Sequence, residues 1–233
     1  MFDLTPLEIE ALKLSLRVGF WAVLGSLPLG LLVAWLLARV AFPGRTIVNG
    51  IVHLPLVLPP VVVGYLLLVL LGRNGPIGSV LQSWFGWTFA FTWQGAAVAS
   101  AVVAFPLMVR AIRLGLDLVD RRLETAARTL GAARIDAFWS VTVPLVLPGI
   151  LTGAVLAFAR SIGEFGATIT FASNIPGQTR TLPLALYTAT QTPGGDEGAL
   201  RLVLISCILA FAALAASELL ARRVQRRLSG GDT

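Results

Sequence analysis

From Val18 to Ala38 the sequence reads VGFWAVLGSLPLGLLVAWLLA, without one charged residue. About 20 apolar residues in helical conformation cross the hydrocarbon core of a bilayer. Inside that core each backbone N–H and C=O must find its partner within the segment, which a helix provides. Four more stretches are predominantly apolar: one within Thr46–Gly72, one from about Gly95 to Leu114, one from near Pro144 to about Ala172, and one from about Leu200 to Ala221. Charged residues make up 13% of the chain, where soluble domains carry about 25%. The expected fold class is therefore all-α, a polytopic membrane helix bundle of about five transmembrane helices built as a single domain over residues 1–233.

Local signals refine the spans. Thr5-Pro6-Leu7-Glu8 has the form of a capping box with proline at the first helical position, so the first helix is expected to begin before the membrane does. Acids precede bases in the N-terminal stretch and no small-residue cleavage site follows it, which reads as a retained helix rather than a signal peptide. Pro55, Pro59 and Pro60 fall in the first half of the second span and predict a kink or an unwound entry there. Pro106 sits inside the third span. The one cysteine, Cys207, excludes an intrachain disulfide and is read as a small buried hydrophobe. The lone His53 is a pathway or interface residue rather than a metal ligand, because no partner histidine exists.

Basic residues set the orientation. With the C-terminal RRVQRR in the cytoplasm, five crossings place the N-terminus outside. Arg39, Arg45, Arg110, Arg113, Arg121, Arg122, Arg128, Arg134, Arg222, Arg223, Arg226 and Arg227 then share the cytoplasmic side. Lys13, Arg17, Arg73, Arg180 and Arg201 lie outside. The net charge of +6 is thus a topology signal and implies no nucleic-acid partner. The aromatic run SWFGWTFAFTW, residues 83–93, reads as an interfacial belt on the outer side.

The largest cytoplasmic connection, about residues 115–142, contains ETAARTLGAAR. As a helix it places Leu123, Ala127 and Leu130 on one stripe and Arg121, Glu124 and Arg128 on another. Ala126, Ala127, Gly131, Ala132 and Ala133 keep its profile thin, which allows close approach to another backbone. A membrane-surface helix joining two spans is the competing reading of these residues alone.

Nine residues after Gly131 comes Val141-Thr142-Val143-Pro144. This resembles the cytoplasmic signature of ABC-importer permeases, an EAA-type triplet, a glycine, nine residues and I-x-L-P. Valines stand for the isoleucine and leucine, and Thr125 stands where many members have the glutamate, with Glu124 one place upstream. VHLPLVLPPVVVGYLLL, FPLMVRAIR, LAFARSIGEFGATITFASNIPGQTRTLP and LYTATQTPGG extend the likeness over nearly the whole chain. They resemble the permease subunits of molybdate importers, and sulfate and thiosulfate permeases to a lesser extent. The resemblance implies the type I ABC-importer permease (MetI-like) architecture in a bacterial inner membrane. It also implies a homodimer, two copies of an ABC ATPase that bind ATP and magnesium, and a periplasmic or extracellular molybdate-binding protein. Glu124, Ala126, Ala127, Leu130, Gly131, Ala132 and Pro144 become candidates for coupling to the ATPase, with Arg128 and Arg134 as a polar rim. No cofactor and no metal site are expected in this chain.

What the sequence lacks agrees with a divided machine. No G-x-x-x-x-G-K-[ST] occurs, so ATP hydrolysis in the P-loop manner is assigned to another polypeptide. A secondary transporter with its own inverted repeat and a membrane enzyme with clustered acid, base or metal ligands are the rival classes. In the fourth span Arg160 and Glu164 stand four residues apart, expected on one helix face. A charge at mid-bilayer costs about 2.5–3.5 kcal/mol on insertion scales, so the pair should avoid lipid. It is either a self-neutralising structural pair or, with Ser161 and Thr168, the lining of an anion path, Gly163 and Gly166 permitting a bend or close packing. The arginine asymmetry makes a direct prediction: in a chain lacking Cys207, a cysteine at position 45 reacts only with reagent admitted to the cytoplasm and one at position 194 reacts from outside. Labelling of position 194 solely from the cytoplasm refutes the orientation.

Overall fold

The computed structural model describes residues 4–228. Helix α1 (Pro6–Arg39) opens with the capping box: Glu8 N–H donates to Thr5 Oγ1 and Thr5 N–H to Glu8 Oε2. Its 34 residues extend about 51 Å, well beyond the thickness of a bilayer core. The capping glutamate has a second partner, Arg201, at 3.1 Å, which ties the start of α1 to the last long helix.

Helix α2 (Arg45–Val57) and helix α3 (Pro60–Leu71) meet at 115°. A residue before proline is pushed into extended conformation, and two prolines in succession do this twice: Leu58 has ψ 142° and Pro59 ψ 133°. The expected kink is thus a sharp break, and Pro55 is accommodated inside α2. Helix α4 (Pro76–Phe85) and the exposed Trp84, Phe85 and Trp87 lead into helix α5 (Trp93–Leu118). Helices α6 (Arg121–Thr129) and α7 (Arg134–Ala137) form the connection to helix α8 (Val143–Ile162). Helix α9 (Gly166–Phe171), helix α10 (Leu182–Gln191) and helix α11 (Asp196–Leu228) complete the chain. Four stretches, α1, α5, residues 134–162 and α11, are each long and apolar enough to cross a membrane, and the bent pair α2–α3 makes up to a fifth.

The fourth span departs from expectation at both ends. It begins at Arg134 rather than near Pro144, because a π-helical turn over Phe138–Thr142 carries α7 directly into α8. Val143 N–H reaches back to Phe138 O, so the proline's missing donor falls where the ladder is already widened. The span ends at Ile162 rather than Ala172, since Gly163–Phe165 are not helical and α9 is a separate short element. Cys207 is exposed, not buried: on a span, an apolar side chain can face lipid as readily as protein.

In lipid the hydrophobic effect does not drive helices together, so close backbone contact must. Helix α5 packs most extensively on α8 and α1, around Leu37, Met108, Ile112, Leu116 and Val146. The α5–α8 seam is built on glycine: a Cβ on Gly149 would lie 3.1 Å from Gly115 Cα, and one on Gly153 would lie 3.0 Å from Met108 O. The α3–α9 seam is tighter, with a Cβ on Gly64 only 2.6 Å from Ala167 O. Gly64→Ala should therefore push α9 from its seat and lower the unfolding temperature of the solubilised protein. Gly25→Ala on α1, with nothing within 4 Å, should hold or raise it, an alanine in a helix interior being favoured by about 0.5–1 kcal/mol over glycine. Equal effects of the two changes would refute the close-packed seam.

Candidate functional site

Two groups of sequence candidates are positioned by this bundle, one at the connection between α5 and α8 and one at the break after α8. In the first, Asp120 caps α6 by accepting from Arg122 N–H at 2.9 Å. The helix ends in a Schellman motif: Ala132 N–H donates to Ala127 O and Gly131 N–H to Arg128 O, both at 3.1 Å. Gly131 has φ +98°, a left-handed conformation that a side chain disfavours, and open space around its Cα. Conformation alone therefore accounts for the glycine, and the next helix begins three residues later at Arg134.

The two stripes of α6 have different fates. Glu124 turns inward: its Oε1 accepts from the Thr142 hydroxyl at 2.9 Å and lies 3.5 Å from Arg39 Nη2. The opposite stripe is left uncovered, with Leu130 89% exposed and Leu123 47%. Ala126, Gly131 and Pro144 are exposed and Ala127 and Ala132 half-buried, so the candidate set forms a surface except for Glu124. Arg39 Nη2 also donates to Val119 O, the C-cap carbonyl of α5, and Arg121 Nη2 donates to Ala38 O at the end of α1. The network fastens α6 to the ends of two spans.

In the second group, Arg160 belongs to the last turn of α8, where a cation meets the negative end of the helix dipole. Glu164 lies past the helix end, in the break, rather than on the same helix face as expected. The chain turn still brings the two together: Arg160 Nη1 is 2.7 Å from Glu164 Oε2, an ion pair without hydrogen-bond alignment. Glu164 Oε1 accepts from Ala167 N–H at 2.8 Å, at the start of α9. Glu164 is thus a hinge between α8 and α9, 2% exposed, while the Arg160 side chain keeps 30% of its surface. Ser161 and Thr168 are buried, and their hydroxyls find no hydrogen-bond partner among the described residues. Gly166 takes the expected close contact, a Cβ there meeting Pro60 at 2.9 Å, whereas Gly163 has open space and forms the helix end.

A third feature was not legible as a group. Asn49 and His53 of α2 and Arg110, Arg113 and Asp117 of α5 line a cavity of about 300 Å³. Arg113 Nη1 donates to Asn49 Oδ1 at 3.1 Å, and His53 Nδ1 is 2.8 Å from Asn49 O. A carbonyl only accepts, so Nδ1 carries the proton. The signal in the sequence was the helical spacing Asn49/His53 and Arg110/Arg113/Asp117, but nothing in it says that the two helices meet. Among the described residues no group of three His, Cys, Asp or Glu side chains is placed to hold a metal ion.

Against known proteins, residues 26–226 match the model of the family described as binding-protein-dependent transport system inner membrane component. The molybdenum transport system permease protein ModB of Escherichia coli K12 is 62% identical over 224 residues, 96% of this chain and 98% of that protein. ModB of Haemophilus influenzae is 57% identical, over 97% of this chain and 99% of that one. The sulfate transport system permease protein CysT of Salmonella typhimurium is 36% identical, over 94% and 80%. In fold, a chain of a bacterial alginate ABC transporter crystallised with its periplasmic protein superposes with a TM-score of 0.72 at 19% identity, covering 98% of this chain and 82% of that one.

The break after α8 generates a graded prediction. Arg160→Ala strands a carboxylate that is 1% exposed, whereas Glu164→Gln leaves a guanidinium that already reaches the surface and retains an oxygen for Ala167 N–H. Arg160→Ala should therefore lower thermal stability more, with an upper figure of about 3–5 kcal/mol for breaking a buried pair from one side. The double variant should cost less than the sum of the two. Additive losses in the unfolding temperatures show that the residues act separately.

Proposed function

The chain belongs to the family of binding-protein-dependent transport system inner membrane components, and from that premise we propose that it carries molybdate across the inner membrane as the permease subunit of an ABC importer. A separate ATPase subunit, holding ATP and magnesium, supplies the energy, and a periplasmic binding protein delivers the anion. Identity of 62% over nearly the full length of both chains to a molybdenum permease supports molybdate over sulfate, for which the permease compared is 36% identical. The geometric observation that carries the coupled-importer reading is the outward stripe of α6. Leu130 is an apolar side chain 89% exposed, on a helix held rigidly to α1 and the end of α5. A monomeric soluble surface can carry such a residue without meaning, but here it stands beside the family's coupling signature.

Two copies related by a twofold axis would present two such helices to two ATPase subunits, with the path along the axis and the α6 side in the cytoplasm. The path we assign runs from the Arg160–Glu164 break, with Ser161 and Thr168, to the Asn49–His53–Arg110–Arg113 cavity. Charged and polar side chains on spans avoid lipid, which favours an interior or axial position for both sets. Arg160 keeps part of its surface free for an anion while Glu164 holds it in place.

The test uses the purified complex. ATP hydrolysis should rise with molybdate-loaded binding protein and not with sulfate-loaded protein. Gly131→Trp would confuse docking with backbone strain, so the decisive variant is Leu130→Asp, which touches no internal contact. Burial of a leucine is worth about 1.5–3 kcal/mol, so the variant should bind the ATPase about tenfold more weakly or worse while inserting and dimerising normally. Unchanged ATPase co-purification and uptake would refute the coupling assignment, and stimulation by sulfate alone would refute the substrate.

A further inference from the structure

The other face of α6 borders a groove that the transport reading leaves unused. Its cavity, about 660 Å³, lies between the last two turns of α1, the inward stripe of α6 and the α7–π turn. One side is basic, with Arg39, Arg121, Arg128 and Arg134; the other is apolar, with Leu32, Trp35 and Trp139. We propose that this groove is a binding site for one anionic phospholipid of the leaflet at the Arg39 end of α1.

Charge decides the class of ligand. Four guanidinium groups face a single carboxylate, Glu124, and that carboxylate is already engaged by Thr142 and Arg39. Arg128 and Arg134 have no ion-pair or hydrogen-bond partner for their side chains among the described residues. Arg39, whose side chain is 9% exposed, keeps a buried Nε donor with no acceptor, while its Nη2 serves Val119 and Glu124. A phosphodiester in the groove supplies the acceptors that the exposed guanidinium groups of Arg128 and Arg134 lack.

Depth decides between a lipid and a soluble partner. Leu32 precedes Arg39 by seven residues, about 10 Å along the helix toward the bilayer centre. A groove that runs from arginines at the boundary to a leucine at acyl depth matches a head group with the first part of its chains. Leu32 is 57% exposed and Trp139 60%, and tryptophan favours the interface between the two. Trp35, Phe138 and Trp139 form an edge-to-face series, with centroids 6.3 and 5.5 Å apart, that gives the acyl chain a firm wall. The groove takes Arg128 and Arg134, expected at the rim of the coupling surface, and leaves that surface its apolar stripe, since Arg121, Glu124 and Arg128 occupy the side of α6 opposite Leu123 and Leu130.

The experiment is native mass spectrometry of the full chain, alone and in its ATPase complex, with phosphatidylglycerol, phosphatidylcholine or inorganic phosphate added. Phosphatidylglycerol should be retained about tenfold or more in preference to phosphatidylcholine, and each groove arginine removed should cost about fivefold. Arg128→Gln/Arg134→Gln should abolish most of the preference, the paired lysine variant should keep most of it, and Arg122→Gln, on the same helix but outside the groove, should leave it intact. Equal retention of the two lipids overturns the proposal. So does saturation by inorganic phosphate with no lipid preference, which would mark a simple anion site. Loss of the lipid whenever the ATPase is bound also overturns it, since the groove would then be a protein interface. None of these outcomes depends on which anion is transported, so failure here is separable from failure of the importer reading.

Discussion

The structure depends on how the helix ends at the α6 side of the bundle are closed. A helix leaves four carbonyls without partners at its C-terminus, and at a membrane boundary neither lipid nor bulk water is a dependable substitute. Arginines supply the donors here. Arg121 reaches Ala38 O, Arg45 reaches Leu37 O, and Arg39 reaches Val119 O at the end of α5. The same positive charges also complement the negative ends of the helix dipoles. The arginines that carry the orientation signal in the sequence are therefore structural as well: they tie α1, α5 and α6 into a single junction.

The membrane-embedded half obeys a different constraint. With lipid as apolar as leucine, glycine and alanine let helices approach until dispersion between their backbones holds them together. Gly115 faces Gly149 across α5–α8, and Gly64 faces Ala167 across α3–α9. The α3–α9 seam has the further effect of placing Glu164. Since α9 cannot move away from α3 without losing that close approach, the N–H of Ala167 is presented to Glu164, and the ion pair to Arg160 follows.

Much of this was legible in the sequence where a residue type acts locally. The capping box at Thr5–Glu8 and the break at Pro59–Pro60 each arise from backbone chemistry within a few residues, and both are present, whereas Gly131, read as a thin point of a continuing helix, is its stop. Length and hydropathy were enough for four spans among the described residues, and for a fifth where the bent pair α2–α3 counts as one. The break at Gly163–Phe165 was only partly legible: Gly163 and Gly166 allowed a bend, but no proline marks a helix end and the apolar run continues through Ala172. The start at Arg134 was missed for the opposite reason: Pro144 looks like a beginning, and a π turn removes the need for one. Contacts across the fold, Glu8 with Arg201 and Asn49 with Arg113, have no period to read. Glu124 is the instructive case among the candidate site residues, since its place beside a coupling motif suggested an outward role, while Arg39 and Thr142, far away in sequence, draw it inward.

That inward turn gives α6 its mechanical character. A short helix of nine residues has little stability of its own in water, and one resting on the surface by apolar contact alone could roll or fray. Here the N-cap of Asp120 closes the first turn and the Schellman motif closes the last. Glu124 in between is bonded to the π turn and paired with the end of α1. Rolling α6 would break the Thr142 hydrogen bond and leave Arg39, 9% exposed, without its carboxylate. In the importer we propose, a load on the exposed face at Leu130 would therefore be resisted as rotation and passed on as translation to α1 and the α8 entry, through the polar inner face of the helix.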